Sequence, residues 1–303
     1  MGSTTIEKRL KALGSPGRII VDNTNVSGDQ LLTSAEAEIA RIDEKFSAFN
    51  AGSIVSRINQ DAGNGAFIEL DRESRSLFEY ASVLWEQSKR LFDPSTRLLE
   101  DCYSRDGLLL ASQQQLAKLL KLVGWSGLEL TEDGARLTRK GMLLDLNTCV
   151  RPYAVDCIKR KLARQGARFA LIEIGQDFAT IGKQVDGSNW LIGSRFPKNG
   201  RAAVTRLKLN NSSFATRGNF EKSVAIDGEL FGRALSPIDG QFIPGLLSVG
   251  VMAEDCLTAC SAASVARFKT EAAGLRWLEK LGMPWLAIDR QLICHGPLAP
   301  RIR

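Results

Sequence analysis

The spacing of apolar residues in the first part of the chain is typical of amphipathic helices. Ile39, Ile42 and Phe46 recur at steps of three and four residues and therefore share one helical face. Thr33 and Glu36 have the spacing of a capping box at the start of this helix. The same periodicity predicts three helices in this part of the chain, over residues 34–49, 72–90 and 112–123.

After residue 127 apolar and polar residues alternate, which is typical of strands. Asp133 and Gly134 form a turn sequence between two short alternating runs and predict a β-hairpin. Pro152, in a first-turn position, predicts a helix that ends at Gly166. Because single strands and helices do not alternate regularly, the pattern predicts an α+β fold with mostly antiparallel sheets. Further helices are predicted over 256–268 and 271–281, and further strands over 142–144, 169–174, 178–182, 189–194, 203–209, 223–226, 229–232, 246–252 and 285–289.

Composition excludes several classes of function. The 303 residues carry 40 Lys and Arg against 34 Asp and Glu, a formal charge of +6. Because the two signs are interleaved and no nucleic-acid motif follows, we expect no nucleic-acid partner. The single histidine, His295, excludes sites that need two histidines. The six cysteines lack CxxC spacing, and no apolar run reaches the ~18–20 residues of a membrane span, so we expect a cytoplasmic protein without a membrane partner.

Seven segments are more informative together than any single motif. They are IDEKFSAFNAGSIVSRIN, RLFDPSTRLL, LLDLNTCVRPYAVD, LIEIGQDFATIG followed by NWLIG, FATRGNF, SPIDG and SVGVMAEDCLTACSAASVA. In this order and at about these spacings they resemble the FAD:protein FMN transferase (ApbE) family, over roughly residues 13–289. The resemblance implies a mixed fold that binds FAD in a cleft between two closely packed lobes. It also implies a magnesium-dependent reaction that moves FMN from FAD onto a Ser or Thr of a target flavoprotein and releases AMP.

The resemblance assigns roles to particular residues. A single ApbE-like domain is expected over residues 1–303, with an N-terminal lobe over 13–145 and a C-terminal lobe over 146–303. The metal positions fall on the carbonyl of Thr148 and on Cys260 and Ser264, which lie four residues apart on one predicted helix. The expected flavin-binding residues are Phe49, Leu91, Phe92, Asp93, Asp145, Arg151, Gly175, Asp177 and Arg233.

Several of these positions depart from the family pattern. Cys260 replaces an Asp, and a thiol lacks the charge and hardness that Mg²⁺ prefers, so we expect weak or no Mg²⁺ binding and expect Cys260→Asp to strengthen it. The family's HIIDPRTG has Arg233 and Ser236 in place of its His and Asp, and its ATSG has Arg217 in place of Ser. Pro152 stands where the family has Gly and lacks a backbone donor.

Two functions follow from this pattern. The first is a catalytically impaired relative that binds FAD or a similar nucleotide, or acts as a non-catalytic partner of another protein. The alternative is an active magnesium-dependent FMN transferase. Arg151 and Arg233 are either cations beside the flavin pyrophosphate or solvated surface residues. Phe49 and Phe92 are either flavin contacts or core aromatics.

Overall fold

The computed structural model describes residues 5–22, 26–198 and 201–300. Eight strands form one sheet in the order β1-β2-β5-β6-β9-β12-β13-β14, and every neighbouring pair is antiparallel. Three two-stranded hairpins, β3-β4, β7-β8 and β10-β11, complete the strands of the described residues. The predicted fold class is therefore confirmed. The strands are Thr5–Ala12 (β1), Ser15–Asp22 (β2), Leu128–Thr131 (β3), Gly134–Leu137 (β4), Ala170–Ile174 (β5), Asp177–Ile181 (β6), Trp190–Lys198 (β7), Arg201–Leu209 (β8), Ser213–Gly218 (β9), Val224–Ile226 (β10), Glu229–Phe231 (β11), Ser248–Ala253 (β12), Trp285–Ile288 (β13) and Cys294–His295 (β14).

The central strands of the large sheet are covered on both faces. Every residue of β6 is buried, as expected for a strand with neighbours on both sides. Ile172 belongs to the main core with the helices, whereas Leu171 packs with Trp190 and Leu207 of the β7-β8 hairpin on the opposite face. The sheet is thus a middle layer between helices and a hairpin. The helices are Gly28–Phe46 (α1), Ile54–Gln60 (α2), Arg72–Gln87 (α3), Gln113–Leu120 (α4), Asn147–Arg164 (α5), Cys256–Arg267 (α6) and Glu271–Leu281 (α7).

Two helix starts differ from the sequence prediction. The predicted capping box of Thr33 and Glu36 is wrong, because α1 starts at Gly28 and both residues lie inside it. Pro152 does not open α5 either, since the helix starts at Asn147 and includes the proline. Pro152 is the sixth residue of α5, beyond the first turn in which a missing N–H costs nothing, so it removes one helical hydrogen bond.

The predicted strand over 142–144 is also wrong. Met142 and Leu144 are buried, but the segment joins no sheet. The side chain of Asn59 takes the place of a strand partner, because its Oδ1 accepts from the Leu144 N–H at 2.8 Å and its Nδ2 donates to the Leu144 carbonyl at 3.0 Å. The remaining predicted strands are found with bounds shifted by up to two residues, except that β7 extends four residues beyond its predicted end, to Lys198. The strands β1, β2, β9 and β14 and the helix α2 were not predicted.

Two features of the structure concern the expectations drawn from the cysteine content and from the apolar runs. All six cysteines are free, and five of them are buried. Within the described residues, no helix has the length and apolarity that a membrane span requires.

A partly buried ion-pair network joins α1, α3 and α5 and predicts an acid-sensitive step in stability. Hydrogen bonds from Arg41 at 2.8 Å, together with Lys45 and Tyr153, lower the pKa of Glu73 from 4.5 to about 2. A lowered folded-state pKa means that the stabilisation is present above pH 4.5 and is lost as the pH falls towards 2. We expect Glu73→Gln to lower the free energy of unfolding at pH 7 by about 1–2 kcal/mol and to flatten its fall over that window. Urea unfolding at several pH values measures both effects.

The control is Glu79→Gln, on the same helix at an exposed position. It should change neither the free energy of unfolding nor its pH profile by more than about 0.5 kcal/mol. Equal profiles for the two variants would contradict the assignment of the acid-sensitive step to Glu73.

Candidate functional site

A cavity of about 170 Å³ lies where the loop after α3, the start of α5, the end of β9 and the end of α6 meet. Its lining includes three of the predicted flavin residues and two of the predicted metal positions. It also contains two arginines for which the sequence analysis had assigned no role. The residues concerned are Phe92, Asp93, Asp145, Thr148, Ser264, Arg217 and Arg267.

The first of these arginines, Arg217, lies among the predicted metal positions. Its Nη2 is 2.8 Å from the sulfur of Cys260 and 3.5 Å from the carbonyl oxygen of Thr148. Its Nε donates to the same sulfur at 3.1 Å. Its Nη1 forms an ion pair of 2.6 Å with Asp177, whose side chain is completely buried. The guanidinium thus occupies the space between the residues that the resemblance assigns to a metal ion.

Local sequence explains why the Thr148 carbonyl is free to accept. In a helix this oxygen would receive the N–H four residues later, at position 152. Pro152 has no N–H, so the helix leaves the carbonyl without its usual donor. The Arg217 Nη2 at 3.5 Å and the Cys260 thiol at 3.5 Å are the groups that face it.

Asp156 fixes the two helices that carry these positions. Its carboxylate, on α5, accepts from the backbone N–H groups of Cys256 at 2.7 Å and Leu257 at 2.9 Å, which are the first two residues of α6. This is a helix cap supplied by a neighbouring helix. Burial raises the pKa of Asp156 to about 6, although both hydrogen bonds favour the charged form.

The charges around Arg217 disfavour the binding of a further cation. Burial would lower the pKa of Arg217, but the Asp177 carboxylate outweighs it and holds the pKa above its ordinary value. Burial raises the pKa of the Cys260 thiol, and the neighbouring guanidinium does not offset this, so the sulfur is uncharged at neutral pH. Arg151 adds another positive charge, with its Nε 3.6 Å from the second oxygen of Asp177.

The donor set does not fit Mg²⁺. The ion prefers several hard oxygen ligands, at least one of them usually a carboxylate. Here a neutral thiol and a backbone carbonyl face a guanidinium, and the nearest carboxylate, Asp177, is already paired with two arginines. Among the described residues there is also no group of three or more His, Cys, Asp or Glu arranged to hold a metal ion.

Two carboxylates of the cavity are largely used by the protein itself. Asp93 accepts from the backbone N–H and hydroxyl of Ser95 and, through its other oxygen, from the N–H of Trp125 at 2.6 Å. Asp145 accepts from the N–H of Asn147 at 2.9 Å and lies 3.6 Å from Arg97. Both therefore shape the cavity wall, and their contact with a flavin stays a prediction.

The other predicted flavin residues lie outside this cavity. Phe49 is 71% exposed and does not line the cavity. The guanidinium of Arg97, which does line it, lies 5.0 Å from the centre of the Phe49 ring. Gly175 lines a separate cavity on the β7 side of the sheet, and Leu91 lines neither. Arg151 lies at the sheet beside Asp177 and donates to the hydroxyl of Ser15 at 3.1 Å. The structure therefore brings Asp177 and Arg151 to the Arg217 cluster rather than to the cavity wall.

Arg233 and Ser236 are held by local contacts. The Arg233 guanidinium donates to the carbonyls of Arg105 at 2.7 Å and Ser104 at 3.1 Å and does not line the cavity. The Ser236 hydroxyl accepts from the N–H of Ile238 at 3.2 Å within a turn. Neither residue takes part in the cluster around Arg217.

The position of two arginines at the candidate site was not predicted from the sequence. Arg217 was visible as a departure from ATSG, but its partners Asp177 and Cys260 are 40 and 43 residues away. Arg267 lies three residues after Ser264 and therefore near it on one face of α6. This spacing from Ser264 was the signal in the sequence that could have placed Arg267 at the site.

Comparison with known proteins shows which family this sequence resembles. The model of the ApbE family matches residues 7–286. A protein of Chlamydia muridarum named FAD:protein FMN transferase is 27% identical over 89% of this chain and 91% of its own length. One of Haemophilus influenzae with the same name is 25% identical over 74% of this chain and 68% of its own length.

Solved structures agree in fold. The apo form of the flavinyl transferase ApbE from Pseudomonas stutzeri superposes with a TM-score of 0.83 at 22% identity, over 96% of this chain and 94% of that one. The flavin transferase ApbE from Vibrio cholerae superposes with a TM-score of 0.82 at 19% identity, over 94% and 93% of the two chains. Since the family model covers most of the sequence, this chain belongs to the ApbE family.

Proposed function

We propose that this chain is a flavin-nucleotide-binding member of the ApbE family that lacks magnesium-dependent FMN transfer. The position of the Arg217 guanidinium carries the proposal. It lies 2.8 Å from the sulfur of Cys260 and 3.5 Å from the carbonyl of Thr148, the atoms at which the resemblance places a metal ion. A guanidinium held there leaves no space or negative charge for Mg²⁺.

Loss of the metal would remove a major source of transition-state stabilisation for transfer. Attack of a hydroxyl on a pyrophosphate builds negative charge on the equatorial and leaving oxygens, and a bound Mg²⁺ neutralises that charge. Arg217 supplies one positive charge, but its ion pair of 2.6 Å with Asp177 already balances it. A fixed cation that stabilises the bound nucleotide and the transition state equally does not accelerate the reaction.

Flavin binding is supported by the relatives and by the cavity. The curated relatives carry the name FAD:protein FMN transferase. The cavity of about 170 Å³ is smaller than the ~300–1,000 Å³ of pockets that enclose a whole ligand. We therefore propose that one part of the nucleotide enters it and that the rest lies along the adjoining surface. The free cysteines are consistent with the cytoplasm as the proposed compartment.

The test combines flavin binding with a transfer assay. We expect FAD to bind with the same affinity in EDTA and in Mg²⁺, measured by quenching of flavin fluorescence, and purified protein to show absorbance near ~450 nm where flavin is retained. We expect no covalent flavin on a flavoprotein substrate with an acceptor Ser or Thr, examined by fluorescence of a denaturing gel. The relative from Haemophilus influenzae is the positive control.

Two results would contradict the proposal separately. Covalent labelling at a rate close to that of the control would establish the alternative function, an active FMN transferase with a target protein. Absence of FAD binding in both EDTA and Mg²⁺ would refute the flavin-binding part and leave a role as a non-catalytic partner of another protein.

A further inference from the structure

Arg267, the last residue of α6, lines the cavity without a partner. Its Nε is buried and has no hydrogen-bond partner. Within the described part of the chain its guanidinium makes no ion pair, and a buried cation without compensation is costly. Burial, with a further contribution from Arg217, lowers the pKa of Arg267 to about 10, so the group is still charged at neutral pH.

The other two arginines of the cavity lining already have acidic partners. Arg217 pairs with Asp177, and Arg97 lies 3.6 Å from Asp145. Both oxygens of Asp93 accept hydrogen bonds from the protein. Glu100, with a side chain 66% exposed, lies 3.8 Å from Arg97 at the outer part of the lining. No carboxylate raises the pKa of Arg267, so among the described residues it is the arginine of this wall that lacks an acidic partner.

Two glycines make room for the Arg267 side chain. A Cβ on Gly218 would lie 2.6 Å from its Nε, and a Cβ on Gly232 would lie 3.0 Å from its Nη2. Gly218 also has a φ of +81°, which disfavours any other residue. The absence of both side chains leaves room for the guanidinium against the backbone beside the cavity.

We propose that the cavity is an anion site in which Arg267 binds a phosphate group, assisted by the hydroxyl of Ser264. The anion site would lie beside the position that the resemblance assigns to a metal ion, which Arg217 occupies. Guanidinium matches phosphate oxygens in geometry and charge. The inference goes beyond the proposed function, because it concerns phosphate chemistry and holds whether the group is inorganic or part of a nucleotide.

A purely structural role makes a different prediction. A cation at the end of a helix can stabilise the helix dipole, and the long side chain can contribute packing. In that case Arg267→Met should destabilise the protein or leave its stability unchanged. If the Arg267 charge is instead compensated only when an anion binds, Arg267→Met removes an uncompensated charge. It should then raise the melting temperature in phosphate-free buffer by about 2 °C.

The experiment uses full-length protein in EDTA and a buffer without phosphate. Inorganic pyrophosphate and FAD are titrated separately by calorimetry, and their effects on the melting temperature are recorded. We expect pyrophosphate to bind, to raise the melting temperature and to compete with FAD for the site. Arg267→Met should weaken pyrophosphate binding by at least about tenfold, and Arg267→Lys, which keeps the charge but loses the planar fork, should have an intermediate effect.

The control is Arg206→Met, which makes the same change of charge at an exposed position of β8. It should leave pyrophosphate binding unchanged. Equal pyrophosphate affinity in Arg267→Met and the wild type, or a loss of stability on that substitution in phosphate-free buffer, would overturn the inference. FAD binding that survives Arg267→Met while pyrophosphate binding is weakened would support a site for the inorganic anion and would leave the proposed function intact. Pyrophosphate binding without any FAD binding would support the anion site and refute the flavin proposal.

Discussion

The double substitution Arg217→Ser, Cys260→Asp is expected to create a Mg²⁺ site. It removes the guanidinium and adds a carboxylate four residues before Ser264 on α6. The carbonyl of Thr148 stays without a helical donor because of Pro152. Asp177, which loses its 2.6 Å ion pair with Arg217, contributes further negative charge nearby. In the presence of FAD, calorimetry should give Mg²⁺ affinity at least about a hundredfold above that of the wild type, equivalent to about 2.7 kcal/mol.

The two single substitutions separate the effect of adding a carboxylate from the effect of removing the guanidinium. In Cys260→Asp the new carboxylate would face the Arg217 guanidinium, now 2.8 Å from the sulfur, and would form an ion pair with it. The structure thus changes the expectation drawn from the sequence, since this single substitution should not improve Mg²⁺ binding. Arg217→Ser removes the cation but supplies no hard ligand, so a gain of less than about tenfold is expected. Tight Mg²⁺ binding by Cys260→Asp alone would contradict the position assigned to Arg217.

The fold was largely predictable because its strands and helices carry strong local patterns. The buried run of β5 and the Asp133-Gly134 turn between β3 and β4 are local signals. The start of α5 was misplaced because Pro152 is common in a first turn but is also tolerated a little later. The segment 142–144 looked like a strand because it is apolar, whereas a side chain, Asn59, satisfies its backbone.

The candidate site was less predictable because it depends on contacts between distant segments. The resemblance placed Cys260 and Thr148 near one another, and the structure has the thiol 3.5 Å from the carbonyl. Nothing local indicates that Arg217 turns towards them. Its direction follows from the pairing of β9 with β6, which places Asp177 opposite Ala215 and gives the residue two positions later the same face of the sheet. The acid and the arginine then meet beneath α5 and α6.

The ion pair of Arg217 with Asp177 should be the most sensitive contact in the molecule. Asp177 is completely buried, and Arg217 has a side chain only 8% exposed. Asp177→Asn would leave Arg217 buried without its counter-charge and would also remove the carboxylate 3.6 Å from Arg151. Removing one partner of a buried pair typically costs about 3–5 kcal/mol, so urea unfolding should register a loss of that size.

The double variant Asp177→Asn, Arg217→Met provides the decisive comparison. Because it removes the buried acid and its cation together, it should recover at least about 2 kcal/mol relative to Asp177→Asn alone. Glu173→Gln on neighbouring β5 is the matched control, since its ion pair with Arg18 is partly exposed, at 26% and 33% of the side chains, and should cost no more than about 1 kcal/mol. A loss below about 1 kcal/mol for Asp177→Asn, or strictly additive effects in the double variant, would mean that the guanidinium is not held by this carboxylate. The account of Arg217 as the resident cation of the site would then fail, because that account requires the acid to fix the arginine in place.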